Sequence, residues 1–456
     1  MITVIGVGTG AGAPSARVPA GVALVVGARR HLEAAELPEG VERVVLGRLE
    51  PAVERMAEVL HASSDSPLPP GGHAPSRLSS APTPTLSYPQ APAQAPTPTP
   101  APAPTPTIAV LASGDPGFFG IVRVLADRFG PAALDIHPAT PSIAQAFARA
   151  GLPWDDAIVV SAHGRALRTA VNVCRAHPKT AVLTGPGAGP AEIGAALATA
   201  PPRTLLVAHA LGTPDEQIVR LSPAEAATRA WPDAVSVVIS LDESRALAPA
   251  PRTIAGPPPL PAQWALPEAD FEHRDSMITK YEVRALALAR LAPRPGDLIW
   301  DVGAGSGSVA VECARLGAAA IAVEKSADGA EQIQANAAAH GVSVQTVRGE
   351  APDALAELPT PDAVFIGGGG ADLPAIVAAA ARRATRAVVV TLAALDRVAS
   401  VRAELTAAGL TTDGLLLQSS RLAPLPGDVT RLAATNPVFV LWGLRPDSNT
   451  LQGAPK

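Results

Sequence analysis

The chain has 456 residues, more than one hydrophobic core usually serves, so its length predicts two or three domains. Its composition, 47% hydrophobic and 17% charged, excludes a wholly disordered chain, and its net charge of -5 gives no general attraction to nucleic acid or anionic lipid. Two cysteines, Cys174 and Cys313, are too few for a disulfide framework or a four-thiolate metal site, so we expect reduced thiols, a cytoplasmic protein and no structural metal.

The first half alternates short apolar runs with alanine-rich stretches, which is the pattern of βαβ units. Seven of these runs are predicted to be strands, at residues 3–7, 22–26, 108–111, 157–160, 180–183, 204–208 and 235–239. The chain starts without a basic segment, and no run of about 18 apolar residues follows anywhere. We therefore predict a protein that is neither secreted nor membrane-spanning.

Residues 62–107 differ in composition from their surroundings. Fourteen of the 49 prolines lie there, and proline fixes φ and lacks a backbone donor, so we predict an extended, mobile tether. Because a strand pattern follows at once, we interpret the tether as an insertion within one domain, with a linker between two domains as the alternative. A second proline-rich stretch, at residues 249–261, marks the main domain boundary.

The second half repeats the alternation of strands and helices. Six apolar runs are predicted to be strands, at residues 298–302, 320–323, 344–347, 363–366, 387–391 and 437–441. Sheets of this kind bind ligands beyond the carboxyl ends of their strands, so the loops that follow these runs are the candidate sites.

The loop after the first of these strands reads Gly-Ala-Gly-Ser-Gly over residues 303–307 and leads into a predicted helix. Its glycines permit a tight turn and the close approach of a ligand to a helix N-terminus. Glu324 ends the next apolar run, where a carboxylate can accept hydrogen bonds from both ribose hydroxyls. A dinucleotide fold needs glycine or alanine at position 308; Ser308 and the GxGxG spacing favour S-adenosylmethionine (SAM), with NAD or a structural turn as alternatives.

The cofactor contacts predicted from this loop and from the strand ends beside it are Asp301, Gly303, Ala304, Gly305, Ser306, Gly307, Glu324, Glu350 and Ala351. The last two follow the third strand of the second half, where the adenine should lie. For Glu350 alone, a solvated helix start is an equally good interpretation.

Residues 275–284 precede a predicted helix, and Thr279 is expected to be its N-cap. Together with the glycine loop and with residues 348–353 and 364–370, this segment resembles the precorrin-6B C15-methyltransferases over residues 268–443. The resemblance implies that Thr279 contacts SAM and that Lys280 pairs with a substrate carboxylate, and Arg284 is a further candidate for such pairing. The loop at residues 391–395 lacks the polar residues that relatives often carry there, which leaves its catalytic role open.

In the first half, residues 112–120 read Ala-Ser-Gly-Asp-Pro-Gly-Phe-Phe-Gly after a predicted strand. Gly-Asp-Pro-Gly can be a simple turn. With the helix pattern behind it and with residues 137–143 and 161–165, however, it resembles the tetrapyrrole (corrin and porphyrin) methylases, most closely the precorrin-6Y C5-methyltransferase branch. The resemblance implies SAM bound between two α/β lobes, with contacts from Gly114, Asp115, Pro116 and Ser142. Thr9 departs from the proline usual in that family, which leaves the contacts of the first loop open.

Two residues of the first half are candidates for binding a polyanionic substrate. His163 and Arg165 follow a predicted strand, and arginine suits carboxylate pairing. A core hydrogen bond for the histidine and a surface charge for the arginine are equally good interpretations.

Together the two resemblances imply a bifunctional enzyme of cobalamin biosynthesis. They imply SAM-dependent methylation of precorrin-6B at C5 and C15, with decarboxylation of the ring C acetate to give precorrin-8, by a homo-oligomer that needs no metal. The sequence identifies no proton donor for the decarboxylation. The alternatives are a SAM-dependent RNA methyltransferase, which the absence of a basic run disfavours, a chain in which one half has decayed to a binding module, and an NAD oxidoreductase.

The predicted architecture is α/β throughout. We expect a two-lobed tetrapyrrole methylase fold over residues 1–245, interrupted by the insertion, and a Rossmann-like class I SAM-dependent methyltransferase fold over residues 266–445. Residues 246–265 are the predicted linker, and residues 446–456 are a tail.

Overall fold

The computed structural model describes residues 1–8, 17–62, 108–231, 236–246, 254–256, 261–274 and 278–446. The predicted insertion beyond Ala62, Thr9, much of the predicted linker and the tail beyond residue 446 lie outside the described residues. The chain divides into two compact units, one of residues 1–145 with 212–214 and one of residues 146–211 with 215–456. The predicted domain boundaries, which rest on sequence composition, stay a prediction.

The first unit is built on a five-stranded parallel sheet. Its elements in chain order are β1 (Ile2–Val7), β2 (Leu24–Gly27), α1 (Arg29–Ala34), β3 (Glu42–Val45), α2 (Leu49–Ala62), β4 (Ile108–Ser113), α3 (Val122–Phe129), β5 (Leu134–His137) and α4 (Ser142–Ala150), the last continuing into the second unit. The strand order is β3-β2-β4-β1-β5. The central strands β2, β4 and β1 are mainly apolar and buried, and only the C-terminal parts of β1 and β4 are partly exposed, as expected for a parallel sheet covered by helices.

The second unit begins with a mixed sheet. Its elements are β6 (Ile158–Ser161), α5 (Leu167–Ala176), β7 (Lys179–Leu183), α6 (Pro190–Leu197), β8 (Thr204–His209), β9 (Gln217–Leu221), α7 (Pro223–Thr228), β10 (Ser236–Leu241) and α8 (Glu243–Ala246). The order is β6-β7-β10-β8-β9, in which only β6 and β7 are parallel. The expectation of βαβ units throughout the first half was therefore wrong for this sheet, because antiparallel neighbours produce equally apolar buried runs.

The rest of the second unit is a seven-stranded sheet with helices on both faces. Its elements are α9 (Tyr281–Leu291), β11 (Leu298–Val302), α10 (Ser308–Arg315), β12 (Ala319–Glu324), α11 (Ala327–Ala339), β13 (Gln345–Arg348), β14 (Ala363–Ile366), α12 (Leu373–Arg383), β15 (Ala387–Leu392), α13 (Val398–Ala407), β16 (Thr411–Leu417), β17 (Ser420–Leu425), β18 (Val429–Ala434) and β19 (Val438–Leu444). The order is β13-β12-β11-β14-β15-β19-β16, with β19 antiparallel to its neighbours. Strands β17 and β18 pair only with each other, as a hairpin.

All thirteen predicted strands overlap strands of the structure. Six strands were not predicted, namely β3, β5, β9, β16, β17 and β18. Most of their residues are exposed or half-buried, because they are edge strands or belong to the hairpin. A strand that buries little needs no continuous apolar run, so its sequence carries a weak signal.

Within the second unit, α5 packs against the seven-stranded sheet through polar contacts. The Asn172 side chain donates to the Gly296 carbonyl at 3.0 Å, and Arg168 pairs with Asp362 at 2.6 Å. Residues on either side of the predicted linker thus form one compact unit. Among the described residues, no helix is long and apolar enough to cross a membrane.

Candidate functional site

A cavity of about 740 Å³ lies at the C-terminal edge of the seven-stranded sheet. Strands β11 to β15 run parallel, so the loops after all five meet at this edge and line the cavity together with the segment before α9. This is the edge at which open α/β sheets bind their ligands.

The glycine loop after β11 forms one side of the cavity. Gly303, Gly305 and Gly307 have φ values of 69°, 54° and 71°, in the left-handed region that favours glycine. A Cβ atom on Gly307 would lie 2.8 Å from the Ile333 Cγ1 atom, closer than van der Waals contact permits. The loop is held to β12 by the Gly303 amide, which donates to the Val323 carbonyl at 3.0 Å.

Glu324, at the end of β12, projects a fixed carboxylate into the cavity. Its Oε2 atom accepts a hydrogen bond from the Gly305 amide at 2.9 Å, and its Oε1 atom accepts one from the Ser326 amide at 3.0 Å. Each carboxylate oxygen retains a further lone pair for a ligand. The side chain is therefore oriented before any ligand arrives, and it can accept two hydroxyl groups.

The loop after β13 brings Glu350 and Ala351 to the same cavity, as predicted. The Glu350 side chain is exposed and lies 3.5 Å from the Lys325 ammonium group. This solvated carboxylate can reach a ligand in the cavity. The fold does not depend on its contact with Lys325. Its contact with the cofactor remains a prediction.

The segment before α9 also lines the cavity and includes Thr279 and Lys280. The prediction that Thr279 is the N-cap was wrong, because α9 begins at Tyr281 and its cap is Lys280. The first amide of the helix donates instead to the Glu268 carboxylate, at 3.1 Å. A carboxylate from another segment thus replaces the local side-chain cap that the sequence pattern suggested.

The structure corrects the prediction for Arg284 as a substrate contact. Its side chain is fully buried and pairs with Glu312 at 3.3 Å, while Nη1 donates to the Thr279 carbonyl at 2.6 Å and Nη2 donates to the Leu266 carbonyl. A guanidinium enclosed with its own carboxylate has no free face for a substrate. Arg284 instead holds the backbone of the segment that presents Thr279 and Lys280.

Asp301, Ser306 and Gly307 are not among the residues that line the cavity, and their contact with the cofactor remains a prediction. The Asp301 side chain is buried beneath the glycine loop, where Oδ2 accepts the Ala310 amide at 2.9 Å and anchors the start of α10. Burial raises the pKa of Asp301 to about 7; the Ala310 hydrogen bond opposes this effect, and the nearby Glu324 carboxylate adds to it. These buried residues support the conformation of the glycine loop.

Sequence reasoning missed several residues that line the cavity. Two of them are polar: Arg274, which is exposed and lies 3.4 Å from Asp328, and Gln332, which is half-buried on α11. The sequence around them contains no recognisable motif. The apolar side of the cavity includes Ile278, Val283 and Phe365. No local motif marks these positions, since only the fold brings them to the glycine loop.

The first unit brings its predicted residues together at the C-terminal edge of its own sheet. The Gly114 amide donates to the Val7 carbonyl at 2.9 Å, and the Gly114 carbonyl accepts the Ala139 amide at 3.1 Å. A Cβ atom on Gly6 would lie 2.2 Å from the Gly114 carbonyl oxygen, so β1 requires glycine where this loop packs against it. The Asp115 Oδ1 atom accepts the Gly117 amide at 2.8 Å, which makes the turn rigid.

Pro116 and Ser142 lie in the same loops. An added Cβ atom on Gly114 would be 3.6 Å from the Ser142 amide, so the start of α4 is adjacent to the Gly-Asp-Pro turn. The four residues Gly114, Asp115, Pro116 and Ser142 therefore form one cluster, and their contact with SAM remains a prediction.

His163 and Arg165 lie in the loop after β6, in the second unit, and both side chains are exposed. The His163 Nδ1 atom is 3.1 Å from the Thr184 carbonyl. This bond orients the ring but leaves its other edge accessible. A substrate contact by either residue remains a prediction.

The residues that line the cavity of the second unit fit SAM. A carboxylate held by two backbone amides suits a ribose diol, the glycine loop lets a ligand approach the backbone, and the volume lies within the range of small-molecule sites.

Two family models match the chain. The model described as "Tetrapyrrole (Corrin/Porphyrin) Methylases" matches residues 3–227, and the model described as "Precorrin methyltransferase domain" matches residues 269–443. The first range contains the Gly-Asp-Pro turn, and the second contains the glycine loop and Glu324.

Several proteins resemble the chain. A protein of Sinorhizobium sp named precorrin-6Y C(5,15)-methyltransferase (decarboxylating) is 38% identical over 276 residues, which is 58% of this chain and 63% of that relative. A Pyrobaculum calidifontis protein named probable cobalt-precorrin-6B C(15)-methyltransferase (decarboxylating) is 37% identical over 186 residues, which is 39% of this chain and 93% of that relative. The crystal structure of the C-terminal domain of precorrin-6Y C5,15-methyltransferase from Rhodobacter capsulatus is 38% identical, covers 40% of this chain and 97% of that domain, and has a TM-score of 0.35.

Proposed function

Because the chain belongs to the precorrin methyltransferase family, we propose that it is a bifunctional SAM-dependent methyltransferase of cobalamin biosynthesis. Its first module methylates precorrin-6B at C5. Its second module methylates C15 and removes carbon dioxide from the ring C acetate, which gives precorrin-8. The tetrapyrrole methylase model over residues 3–227 and the names of the relatives support the pairing of these two activities.

The observation that carries the proposal is the Glu324 carboxylate, which two backbone amides hold in a cavity bounded by the glycine loop. Bound SAM would supply an electrophilic methyl group there. The chain's own contribution is to orient the reactants: Glu324 fixes the ribose, and Phe365 and Val283 help to exclude water. Orientation of the reactants in a cavity that excludes water can lower the reaction barrier by about 7 kcal/mol.

Two cationic side chains at this cavity suit a substrate that carries many carboxylates. Lys280 and Arg274 both line it. Pairing with the side arms of the macrocycle would hold the substrate at this cavity. We expect Lys280→Ala to raise the KM for the tetrapyrrole at C15 about tenfold, the size expected for one charged hydrogen bond.

The proposal also includes a homo-oligomer in the cytoplasm. The β17–β18 hairpin exposes Leu422 and Leu432, which face each other in register and are 78% and 67% exposed, together with Val429. An apolar hairpin face of this kind is typical of protein contacts. Light scattering after size exclusion should give more than one chain per particle for the wild type and one for Leu422→Ser/Leu432→Ser; a monomeric wild type would refute the oligomer.

The function is tested by mass spectrometry of precorrin-6B incubated with the full chain and methyl-labelled SAM. Two labelled methyl groups and the loss of one carbon dioxide are expected. A single methyl would show that one module has decayed, and carbon dioxide loss would then identify the second module as the active one. No change in mass despite SAM binding would refute the tetrapyrrole substrate.

A further inference from the structure

Three polar side chains meet at the C-terminal edge of the five-stranded sheet. Arg30 and His31 lie on α1, and Ser113 is the last residue of β4. The Arg30 Nη2 atom donates to Ser113 Oγ at 3.0 Å, and Arg30 Nε donates to His31 Nε2 at 3.3 Å. Ser113 Oγ lies 3.1 Å from the same His31 nitrogen, so the three groups form a closed set of contacts.

The cluster lies beside the predicted cofactor loop of this unit. Ser113 is followed directly by Gly114, Asp115 and Pro116. Strands β2 and β4 are parallel neighbours, so α1, which follows β2, begins at the edge where the Gly-Asp-Pro turn lies. Open parallel sheets bind their ligands at this edge.

Arg30 is held in place without an acidic partner. Its side chain is exposed, and among the described residues no carboxylate lies within 4.0 Å of it. Arg55, in the same unit, is by contrast paired with both Glu42 and Glu58. A guanidinium carries five N–H donors, and Arg30 directs only part of them to neutral acceptors. The rest are oriented and available for a carboxylate, which matches the fork of arginine.

The contact between Arg30 and His31 requires a neutral imidazole, because a protonated ring cannot accept the Nε hydrogen. Burial lowers the pKa of His31, the Arg30 guanidinium lowers it further, and the Leu111 backbone opposes both effects. Arg30 on its own helix is the charged group that acts on the ring, and Ser113 and Leu111 face it from β4. The ring is thus neutral at pH 7 and suited to position the guanidinium.

We propose that Arg30, His31 and Ser113 form a carboxylate-binding site, in which Arg30 receives a carboxylate side arm of the tetrapyrrole that the first module methylates. The inference rests on the proposed function. Arg30 is the binding residue, while His31 and Ser113 position it.

The test uses the full chain with precorrin-6B and SAM that carries a ¹³C-labelled methyl group, and NMR of the product separates methylation at C5 from that at C15. Arg30→Gln should lower kcat/KM at C5 about 10- to 100-fold, as expected for a lost charged hydrogen bond, mainly through a higher KM. The rate at C15 and the SAM affinity should not change. Arg43→Gln, an exposed arginine on edge strand β3, is the matched control and should behave as the wild type.

The positioning role of His31 has its own readout. His31→Leu should raise the KM at C5. His31→Gln, which keeps an acceptor, should retain the wild-type KM at pH 8 and should lack the rise in KM that we expect of the wild type at acidic pH, below the lowered pKa of His31. An unchanged KM at C5 in Arg30→Gln would overturn the site, as would an equal loss at C5 and C15. A wild-type chain that places no label at C5 would instead refute the proposed function of the first module, and the site with it.

Discussion

Replacing Glu324 with glutamine should weaken SAM binding in the second module by a calculable amount. The two oxygens of the carboxylate accept the Gly305 and Ser326 amides at 2.9 and 3.0 Å. A glutamine has one oxygen and one NH₂ group, so one backbone N–H would face a donor. One hydroxyl of the ribose would also lose a charged acceptor.

The lost ribose contact sets the expected magnitude, because Glu324 accepts the backbone amides in the free and in the SAM-bound protein alike. A hydrogen bond to a charged group is worth about 1.5 kcal/mol at the lower end of its range, so the variant should bind SAM about tenfold more weakly. Isothermal titration of the full chain is the assay. The first module has its own cofactor site under the proposed function, so a second, unchanged binding event is an internal reference.

A matched control separates the geometry of the site from its charge. Glu350→Gln removes a carboxylate of the same cavity that is exposed and not held by the backbone. The variant should change the affinity for SAM less than threefold, because an exposed ion pair usually contributes about 0.5 kcal/mol. If Glu324→Gln binds SAM as tightly as the wild type while remaining folded by circular dichroism, the assignment of the ribose to Glu324 is refuted.

Three further predictions concern the support beneath the site. Arg284→Met should lower the free energy of unfolding by about 3 kcal/mol, because it leaves Glu312 with less compensation for burial; a loss below about 1 kcal/mol in denaturant titration would contradict this role. Gly307→Val should abolish SAM binding by the second module, because a Cβ atom there lies 2.8 Å from Ile333 and φ is +71°; calorimetry that still detects two sites would contradict it. Since the pKa of Asp301 is raised to about 7, the folded state binds more protons than the unfolded state between about pH 4 and 7, and this carboxyl makes stability fall as the pH rises through that window. Asp301→Asn should remove that part of the slope, and equal slopes for variant and wild type in urea melts would refute the assignment.

The sequence was sufficient for the central strands and for the glycine loop. Strands such as β11 and β14 are short, mainly apolar and fully buried, so their signal is contained in four or five consecutive residues. The glycines of residues 303–307 and the acid at Glu324 are equally local, because the turn and the strand end that they mark are formed within one βαβ unit.

Other features depended on contacts between distant parts of the chain. Arg284 resembles a surface charge in sequence, and only packing against Glu312, which lies 28 residues away, shows that it is buried. The cap of α9 comes from Glu268 and not from Thr279. A short sequence pattern cannot identify these partners, because the residues that make contact in space lie far apart in the chain.

The sequence by itself determined the α/β class, and it predicted two modules with separate glycine-containing loops and the residues most suited to bind a methyl donor. Tertiary structure decided which of those residues face the cavity and which lie beneath it, as with Glu324 and Asp301. It also joined His31 to Ser113 across 82 residues. Periodicity and turn chemistry are short-range properties, whereas burial and charge pairing are set by the whole fold.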